Sequence, residues 1–194
     1  EDNADDIALE ARVVSTGGHL SLNSADDVTQ TATGDVETQT AGKTIDVLAA
    51  GAIAMDDGAT ATTNGGDIRY EASTGNITVG EFVAGAGRVA LWAVAGSVND
   101  LAVDTSARDV TAAKLLIIAA QNVAAGANHL ETSVGTLAVQ VGGSGGMFIS
   151  EFDLVTIDSV TVQVNRIGTD AATPGATTDK SLVDLTSTAA GHIV

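Results

Sequence analysis

The sequence contains no cysteine and only one proline among its 194 residues. The absence of cysteine excludes a disulfide framework, a thiolate metal site and a cysteine nucleophile. Aromatic residues are scarce as well, with three Phe, one Tyr and one Trp, although 44% of the residues are hydrophobic. A globular core of this size normally uses more aromatic side chains. A narrow lumen filled by small aliphatic side chains would not need them, so these absences favour an elongated fold.

Positive charge is also in short supply. Eight Lys and Arg stand against 25 Asp and Glu, which gives a formal net charge of −17 at pH 7. Nucleic acids and anionic membrane surfaces require a basic footprint, so we expect no nucleic-acid partner and no membrane insertion. No segment is long and apolar enough to span a bilayer. A cysteine-free, acidic chain rich in Thr, Ala and Gly is typical of an extracellular bacterial protein.

What the chain does contain is a repeat near its centre. Gly66–Ala72 is followed by Ser73–Ile77, and 21 residues later Gly87–Ala93 is followed by Val94–Val98. Apolar residues alternate within each half, which predicts half-buried strands, and the glycines mark bends between them. A recurring unit of about 20 residues that cannot bury its own apolar face predicts one coil of a solenoid.

Four columns of mostly apolar residues extend this repeat in both directions. They are Leu20, Ile45, Ile68, Val89, Val110; Leu22, Val47, Tyr70, Leu91, Ala112; Val28, Ile53, Ile77, Val98, Ile118; and Val36, Ala61, Phe82, Val103, Val123. Coils stacked at ~4.8 Å would satisfy each other's backbone hydrogen bonds. The predicted fold class is all-β, a parallel β-helix (β-solenoid) with coils of about 20–25 residues. We expect right-handed winding, because parallel crossovers are nearly always right-handed.

The predicted organisation is one solenoid module over residues 1–194. We expect a junction at 1–14, regular coils over 15–130, longer and less regular coils over 131–194, and a protruding loop at 168–180 around Pro174. The later strands are expected at Leu137–Val141, Met147–Ile149, Leu154–Ile157 and Val160–Val164.

The two ends of the chain suggest continuation. Ser187–Ile193 repeats the pattern of Ser15–Leu20, and the chain opens on the acidic run Glu1–Asp6 without an initiator methionine. These features indicate one piece of a larger tandem protein. An open solenoid end is an aggregation template unless it is blunted or continued. We therefore expect like modules stacked head to tail, in one chain or as a homopolymer of subunits.

The residues that open several predicted strands, together with two later segments, resemble those of a known protein family. They are Asp35-Val36, Asp67-Ile68 and Asn76-Ile77 between Thr/Ala-rich turns, then Gly145–Glu151 and Val160–Arg166 leading to Asp184–Ser187. In these features the chain resembles filamentous-haemagglutinin-like large exoproteins and giant repeat adhesins of Gram-negative bacteria. The resemblance implies a secreted β-helical shaft at the cell surface, or released from it, that works in adhesion, biofilm or filament formation. It implies no catalytic residues, and the secretion domain of that group is not recognisable here.

Two acidic pairs are the candidate metal ligands. Asp26-Asp27 and Asp56-Asp57 lie near corresponding bends of successive coils. Stacked carboxylates with backbone carbonyls could hold Ca²⁺, which takes six to eight hard oxygens. The alternative is that they are solvated turn residues, since Asp favours bends by bonding its own backbone. The Glu1–Asp6 run has the same two interpretations, a charged tail or a calcium-clamped junction between copies.

We predict no enzyme, no catalytic residue and no required cofactor. His19, His129 and His192 are isolated and lack metal-ligand spacing, and no nucleophile elbow occurs. The basic residues are scattered, whereas a groove for acidic sugars would cluster them; they include Lys43, Arg69, Arg88, Arg108 and Lys114. A carbohydrate-binding or carbohydrate-cleaving β-helix is the alternative function, and it rests on fold analogy.

Two aromatic residues have opposite predicted orientations. Tyr70 belongs to an inner column, so we expect it to be buried. Trp92 alternates with Leu91 and should point outward, where it could stack on a surface glycan or on a neighbouring shaft. The alternative is that a loop covers Trp92, because so large an apolar surface seldom stays exposed.

Overall fold

The computed structural model describes residues 5–101, 108–167 and 174–194, with only the backbone described for 167 and 174–179. The described chain is all-β and contains no α-helix, and therefore no helix that could span a membrane. The strands are β1 Ile7–Leu9, β2 Val13–Ser15, β3 Leu20–Ser24, β4 Val28–Gln30, β5 Val36–Thr38, β6 Ile45–Ala49, β7 Ile53–Met55, β8 Thr60–Thr63, β9 Ile68–Ala72, β10 Ile77–Val79, β11 Glu81–Ala93, β12 Val98–Asp100, β13 Val110–Ala119, β14 Asn122–Val123, β15 Leu130–Val141, β16 Gly146–Met147, β17 Ile149–Glu151, β18 Thr156–Ile157, β19 Val160–Ile167, β20 Pro174–Leu182 and β21 Leu185–Ser187.

The first face of the molecule is a sheet of seven parallel strands. Their order is β1-β4-β7-β10-β12-β14-β16, so each strand pairs with the equivalent strand of the next coil. One column of paired residues on this face is Ile7, Val28, Ile53, Ile77, Val98, Val123 and Met147. Successive members are 21, 25, 24, 21, 25 and 24 residues apart. The predicted parallel β-helix and its coil length are confirmed.

A twelve-stranded sheet supplies the second and third faces. In the early coils the two faces are separate strands: β2, β5 and β8 on the second, and β3, β6 and β9 on the third. In the coils of β11, β13 and β15 a single long strand serves both faces, because β11 pairs with β8 through its first part and with β9 through its last. The register shift around Gly85, which has a φ of 57°, marks the bend in β11.

The lumen is filled by one continuous apolar cluster. Most of its aliphatic residues, from Val28 to Val141, have no exposed surface. Tyr70 is fully buried as predicted, and its ring meets Phe82 edge-to-face at 4.8 Å between centroids. The Tyr70 hydroxyl donates a 2.6 Å hydrogen bond to Gln30 Oε1, and Gln30 Nε2 donates to the Gly34 carbonyl oxygen at 2.9 Å. The polar end of the largest core side chain therefore has a partner inside the lumen.

The four predicted columns are correct as far as Val89, Leu91, Val98 and Phe82. The described residues that were predicted to follow them are wrong. Val110 pairs with Phe82, Ala112 with Gly85, Ile118 with Trp92 and Val123 with Val98, while Val103 lies outside the described residues. The residues that continue the first two columns are Leu115, above Val89, and Ile117, above Leu91. The step from Val89 to Leu115 is 26 residues. The error came from extending a 21-residue step across a longer connection between β12 and β13.

The chain after Ile157 departs from the predicted succession of coils. β19 and β20 form an antiparallel hairpin in which Val160 pairs with Leu182 and Val164 with Thr178. The predicted loop at 168–180 is therefore wrong for residues 174–180, which lie in β20; residues 168–173 lie outside the described part. Of the other predicted strands, Leu137–Val141 and Val160–Val164 are confirmed. Met147–Ile149 is divided between β16, which ends at Met147, and β17, which begins at Ile149, and of Leu154–Ile157 only Thr156–Ile157 is a strand. Period-two alternation in Val160–Val164 predicts a strand but does not distinguish parallel from antiparallel pairing.

Coils are present both before residue 15 and after residue 130, the limits that the sequence predicted for the regular coils. β1 and β2 already pair with β4 and β5, so the first coil begins inside the predicted junction at 1–14. After the hairpin, β21 pairs with β15, and Ile193 forms a parallel bridge with Met147. Ser187–Ile193 therefore joins the third face to the first, whereas Ser15–Leu20 joins the second to the third. The two turns therefore occupy different corners of the solenoid, and a tandem array of like modules stays a prediction.

Candidate functional site: the hairpin-covered face

The hairpin (β19–β20) lies on the outer surface of the third face. A second apolar cluster, separate from the lumen, joins the two and consists of Ala90, Leu116, Ala138, Val160, Val162 and Val164, none with exposed surface. Ala90, Leu116 and Ala138 are register neighbours in β11, β13 and β15. They are outward-facing positions that a solenoid surface would normally leave to solvent. The valines that alternate along β19 cover them.

The free edge of β19 is bonded to side chains of successive coils. Arg88 Nη1 donates to the Thr161 carbonyl oxygen at 2.6 Å. The Gln163 N–H donates to Asp67 Oδ2 at 2.9 Å, and the Asn165 N–H donates to Thr44 Oγ1 at 3.0 Å. Arg88, Asp67 and Thr44 belong to three coils in descending order. The hairpin thus runs along the solenoid axis, back toward the first coils, and ties these coils together.

A buried ion cluster holds the far end of the hairpin. Asp46 is 1% exposed. Its Oδ1 accepts a hydrogen bond from Arg69 Nε at 3.0 Å, and its Oδ2 accepts one from Arg166 Nε at 2.7 Å. Arg69 is itself 4% exposed, and its Nη1 lies 3.5 Å from Glu71 Oε2. A buried charge is tolerated only when it is paired and hydrogen-bonded. Because Arg166 comes from the hairpin, the cluster joins β19 to β6 and β9.

Trp92 points outward, as predicted, and the hairpin covers it. Its register neighbours are Glu71 and Ile118, on the outer side of the third face. The Lys180 ammonium nitrogen lies 2.9 Å from the centre of the indole ring, which is a cation–π contact. Burial lowers the pKa of Lys180; Glu71 acts in the opposite direction, and Arg69 lowers it further. The arrangement corresponds to the alternative in which a chain segment covers the ring, and a glycan contact by Trp92 stays a prediction.

Five of the eight basic residues, which are scattered in sequence, come together on this face. Arg69, Arg166 and Lys180 contact residues of the third face. Arg88 lies in this face and bonds the hairpin, and Lys114 is its register neighbour. Sequence reasoning missed this cluster although its signal was present. Asp46 and Arg69 each follow a member of the first column, Ile45 and Ile68, so their ion pair was readable from the columns. The guanidiniums of Arg69 and Arg166 bind Asp46, so their charge serves the hairpin contact.

The structure brings only half of the predicted calcium ligands together. The carboxylates of Asp26 and Asp27 join Asp6, with one oxygen of each within 4.8 Å of the others. Asp56 and Asp57 belong to no such group within the described ranges and lie in an exposed turn. Asp27 Oδ1 accepts the Ala52 N–H at 2.6 Å and so bonds the backbone of the corresponding bend in the next coil. Calcium binding stays a prediction, and a comparison of melting in Ca²⁺ and in chelator tests it.

A second acidic group was not predicted. Asp100, Asp109 and Glu131 also place carboxylate oxygens within 4.8 Å of one another and could hold a metal ion. Asp109 and Glu131 are buried, and the Glu131 N–H donates to Asp109 Oδ2 at 2.6 Å. Sequence reasoning could not find this group, because the coil that brings β12, β13 and β15 together is the one whose register was misassigned.

A shallow pocket lies where the second and third faces meet. It has a volume of about 280 Å³ and is lined by Gly85, Thr111, Ala112, Ser133, Val134, Gly135, Asp153 and Leu154. Ser133 Oγ donates to Asp153 Oδ2 at 2.5 Å. The histidines serve elsewhere: His129 stacks on Phe148, and His19 bonds Thr44. The pocket thus offers hydroxyl and carboxylate groups without a neighbouring imidazole base.

Comparison of the chain with protein-family models, with curated proteins and with solved structures finds no match. The resemblance to filamentous-haemagglutinin-like exoproteins therefore stays a prediction from sequence.

Proposed function

We propose that the protein is a structural, adhesive module of a secreted bacterial surface protein or extracellular filament, in which the solenoid acts as a stiff shaft. The observation that carries this proposal is the uninterrupted column from Ile7 to Met147. Seven paired strands stacked at ~4.8 Å give a rod roughly 29 Å long on that face. A continuous ladder of this kind transmits force along its axis through many hydrogen bonds.

Two further features support a load-bearing role. The hairpin crosses several coils and binds each through a different side chain, so coils cannot peel away independently on that face. The net charge of −17 keeps like shafts apart in solution. Head-to-tail continuation, within one chain or between subunits, is the arrangement that would cover the last coil, where Ile157, Ile193 and Val194 are exposed.

Adhesion under flow tests the proposal. The chain would be displayed on a non-adherent bacterium, and cells retained on polystyrene and on a mucin-coated surface would be counted. We expect retention above that of the empty host and its loss in Ile68→Asp, which places a charge in the lumen. Val94→Asp, at a 42% exposed position, is the matched control and should retain cells. Retention equal to that of the empty host overturns the adhesive proposal.

The second candidate is a carbohydrate-binding or carbohydrate-cleaving β-helix. The outward Trp92 and the polar pocket beside Asp153 favour it, while the cover that Lys180 provides over the indole ring disfavours it. A glycan array separates the candidates. Tight binding of one glycan class that is lost in Trp92→Ala or Asp153→Ala supports the carbohydrate function, and an array without specific binding supports the shaft.

A further inference from the structure

His19 is linked to the hairpin through Thr44. The Thr44 N–H donates to His19 Nδ1 at 3.0 Å, and Thr44 Oγ1 lies 2.9 Å from the same nitrogen. Nδ1 is therefore an acceptor, and the ring proton of the neutral imidazole is on Nε2. With its hydroxyl proton directed to Nδ1, Thr44 Oγ1 presents a lone pair to the Asn165 N–H, 3.0 Å away. The chain of donors runs from Asn165 through Thr44 to His19.

This chain requires an unprotonated His19. The imidazolium carries a proton on both nitrogens and accepts no hydrogen bond. The Thr44 N–H would then face another N–H, and the hydroxyl could no longer donate to the ring. Thr44 is 5% exposed, so neither its N–H nor its hydroxyl can reach water unless the surrounding structure moves. Loss of an acceptor for a buried donor is costly, and the backbone around Thr44 must shift.

We propose that the hairpin is a pH-sensitive clasp, in which neutral His19 holds the far end of β19 on the solenoid and protonation of His19 releases it. Release of this end weakens the cover over the third face, including the contact of Lys180 with Trp92. The proposal goes beyond the shaft function and does not depend on it. Acidification would thereby expose an outward surface of a shaft whose lumen stays intact.

The charges around the site are consistent with this direction. Burial lowers the pKa of His19 from its usual 6.5, and the Lys43 ammonium lowers it further. Asp46 with Arg166, and Asp67 with the Gln163 N–H, hold neighbouring parts of β19. These carboxylates are ligands of the hairpin that do not require His19, so the part of the pH effect that disappears on substitution of His19 is the part that the clasp predicts.

The sign of the pH effect follows from linkage. The released state, with His19 in water at a pKa near 6.5, binds more protons than the docked state. Docking is therefore at full strength above about pH 6.5 and weakens as the pH falls below it. One group changes an equilibrium by at most about tenfold per pH unit, and only the unit below pH 6.5 contributes strongly here, so the docking constant should fall by up to about tenfold between pH 7.5 and 5.5.

Amide hydrogen exchange in the full chain tests the clasp. The protection factor of the Asn165 N–H should fall by up to about tenfold from pH 7.5 to 5.5 in the natural sequence and stay constant in His19→Gln. His129→Gln, a histidine that stacks on Phe148, is the matched control and should behave like the natural sequence. Acrylamide quenching of Trp92, the single tryptophan, gives a second readout and should increase on acidification only where His19 is present.

Two outcomes overturn the clasp. One is an unchanged Asn165 protection factor between the two pH values in the natural sequence. The other is an equal fall in His19→Gln. If His19→Gln does not fold, an NMR titration of the unsubstituted chain decides instead: the Asn165 amide shift must follow the His19 ring titration, and independent titration refutes the proposal.

Discussion

Val89 is paired directly with Ile68 on adjoining parallel strands, and Ile45 is paired with Ile68 from the other side. All three side chains have no exposed surface. Each therefore makes its apolar contacts with the same kind of side chain one coil away. Since no coil can bury its own apolar face, the stability of each depends on the next.

Truncation of Ile68 tests this dependence. Ile68→Ala should lower the free energy of unfolding by about 2–5 kcal/mol, because it leaves a cavity between two coils that cannot collapse onto it. Val94→Ala removes an exposed aliphatic side chain and should change stability by no more than about 0.5 kcal/mol. Urea denaturation followed by circular dichroism measures both. Equal effects of the two substitutions would contradict a sealed column.

Gly66 supplies a second prediction, because its Cα lies against the backbone of the coil below. A methyl group there would overlap the Lys43 carbonyl oxygen, and one on Gly87 would overlap the Gly66 carbonyl oxygen in the same way. Gly66→Ala should therefore cost about 1–3 kcal/mol or more through overpacking. Gly17→Ala is the matched control, since a methyl group on Gly17 meets nothing within 4 Å. Thermal unfolding of the two variants gives the comparison, and equal melting temperatures would refute it.

The sequence predicted the regular coils, but it did not predict where the coil length changes. The columns through Ile68 and Val89 were readable because their bends recur with little variation in length. The next step failed because a longer connection precedes β13, and an aliphatic residue such as Val110 fits either column. Apolarity identifies a lumen position without stating which coil neighbour it meets, so one insertion shifts all later pairings.

The position of the hairpin is a second feature that could not be predicted from the sequence. Val160, Val162 and Val164 alternate like any lumen strand, and only their packing on Ala90, Leu116 and Ala138 shows that they cover an outer face. The ion pair of Asp46 with Arg69 was readable from neighbouring columns, but the arrival of Arg166 was not, because it depends on a contact 120 residues away in sequence. The candidate site is built mainly from such distant contacts.

The single tyrosine gives a prediction for alkaline pH. Burial raises the pKa of Tyr70 well above its usual value of 10, and its hydroxyl is committed to Gln30. The folded state therefore holds the phenol proton after the unfolded state would lose it. This contribution to stability is fully present below pH 10 and is lost as the pH rises above it.

Absorbance at the phenolate band measures this directly, because the chain has one tyrosine. The folded protein should show no ionisation step near pH 10, and the absorbance should rise only together with the loss of β-structure. Tyr70→Phe leaves Gln30 Oε1 without its donor and should cost about 1–3 kcal/mol at pH 7. A reversible step near pH 10 in a protein that stays folded would contradict the buried position.

Asp46 and Arg166 should differ in how much stability they contribute. Asp46→Ala leaves Arg69, which is 4% exposed, without its buried partner, and loss of one member of a buried pair costs about 3–5 kcal/mol. Arg166→Ala leaves Asp46 paired with Arg69, and the Arg166 side chain is 32% exposed, so the loss should be smaller. Urea denaturation at pH 7 ranks the variants, with the exposed Glu10→Ala as the control for loss of a surface charge.

The Asn165 amide should lose hydrogen-exchange protection in Arg166→Ala while the amide of Ile68 keeps it, because Arg166 ties the hairpin to the solenoid and takes no part in the lumen. A loss at both amides would mean that the hairpin and the coils unfold as one unit.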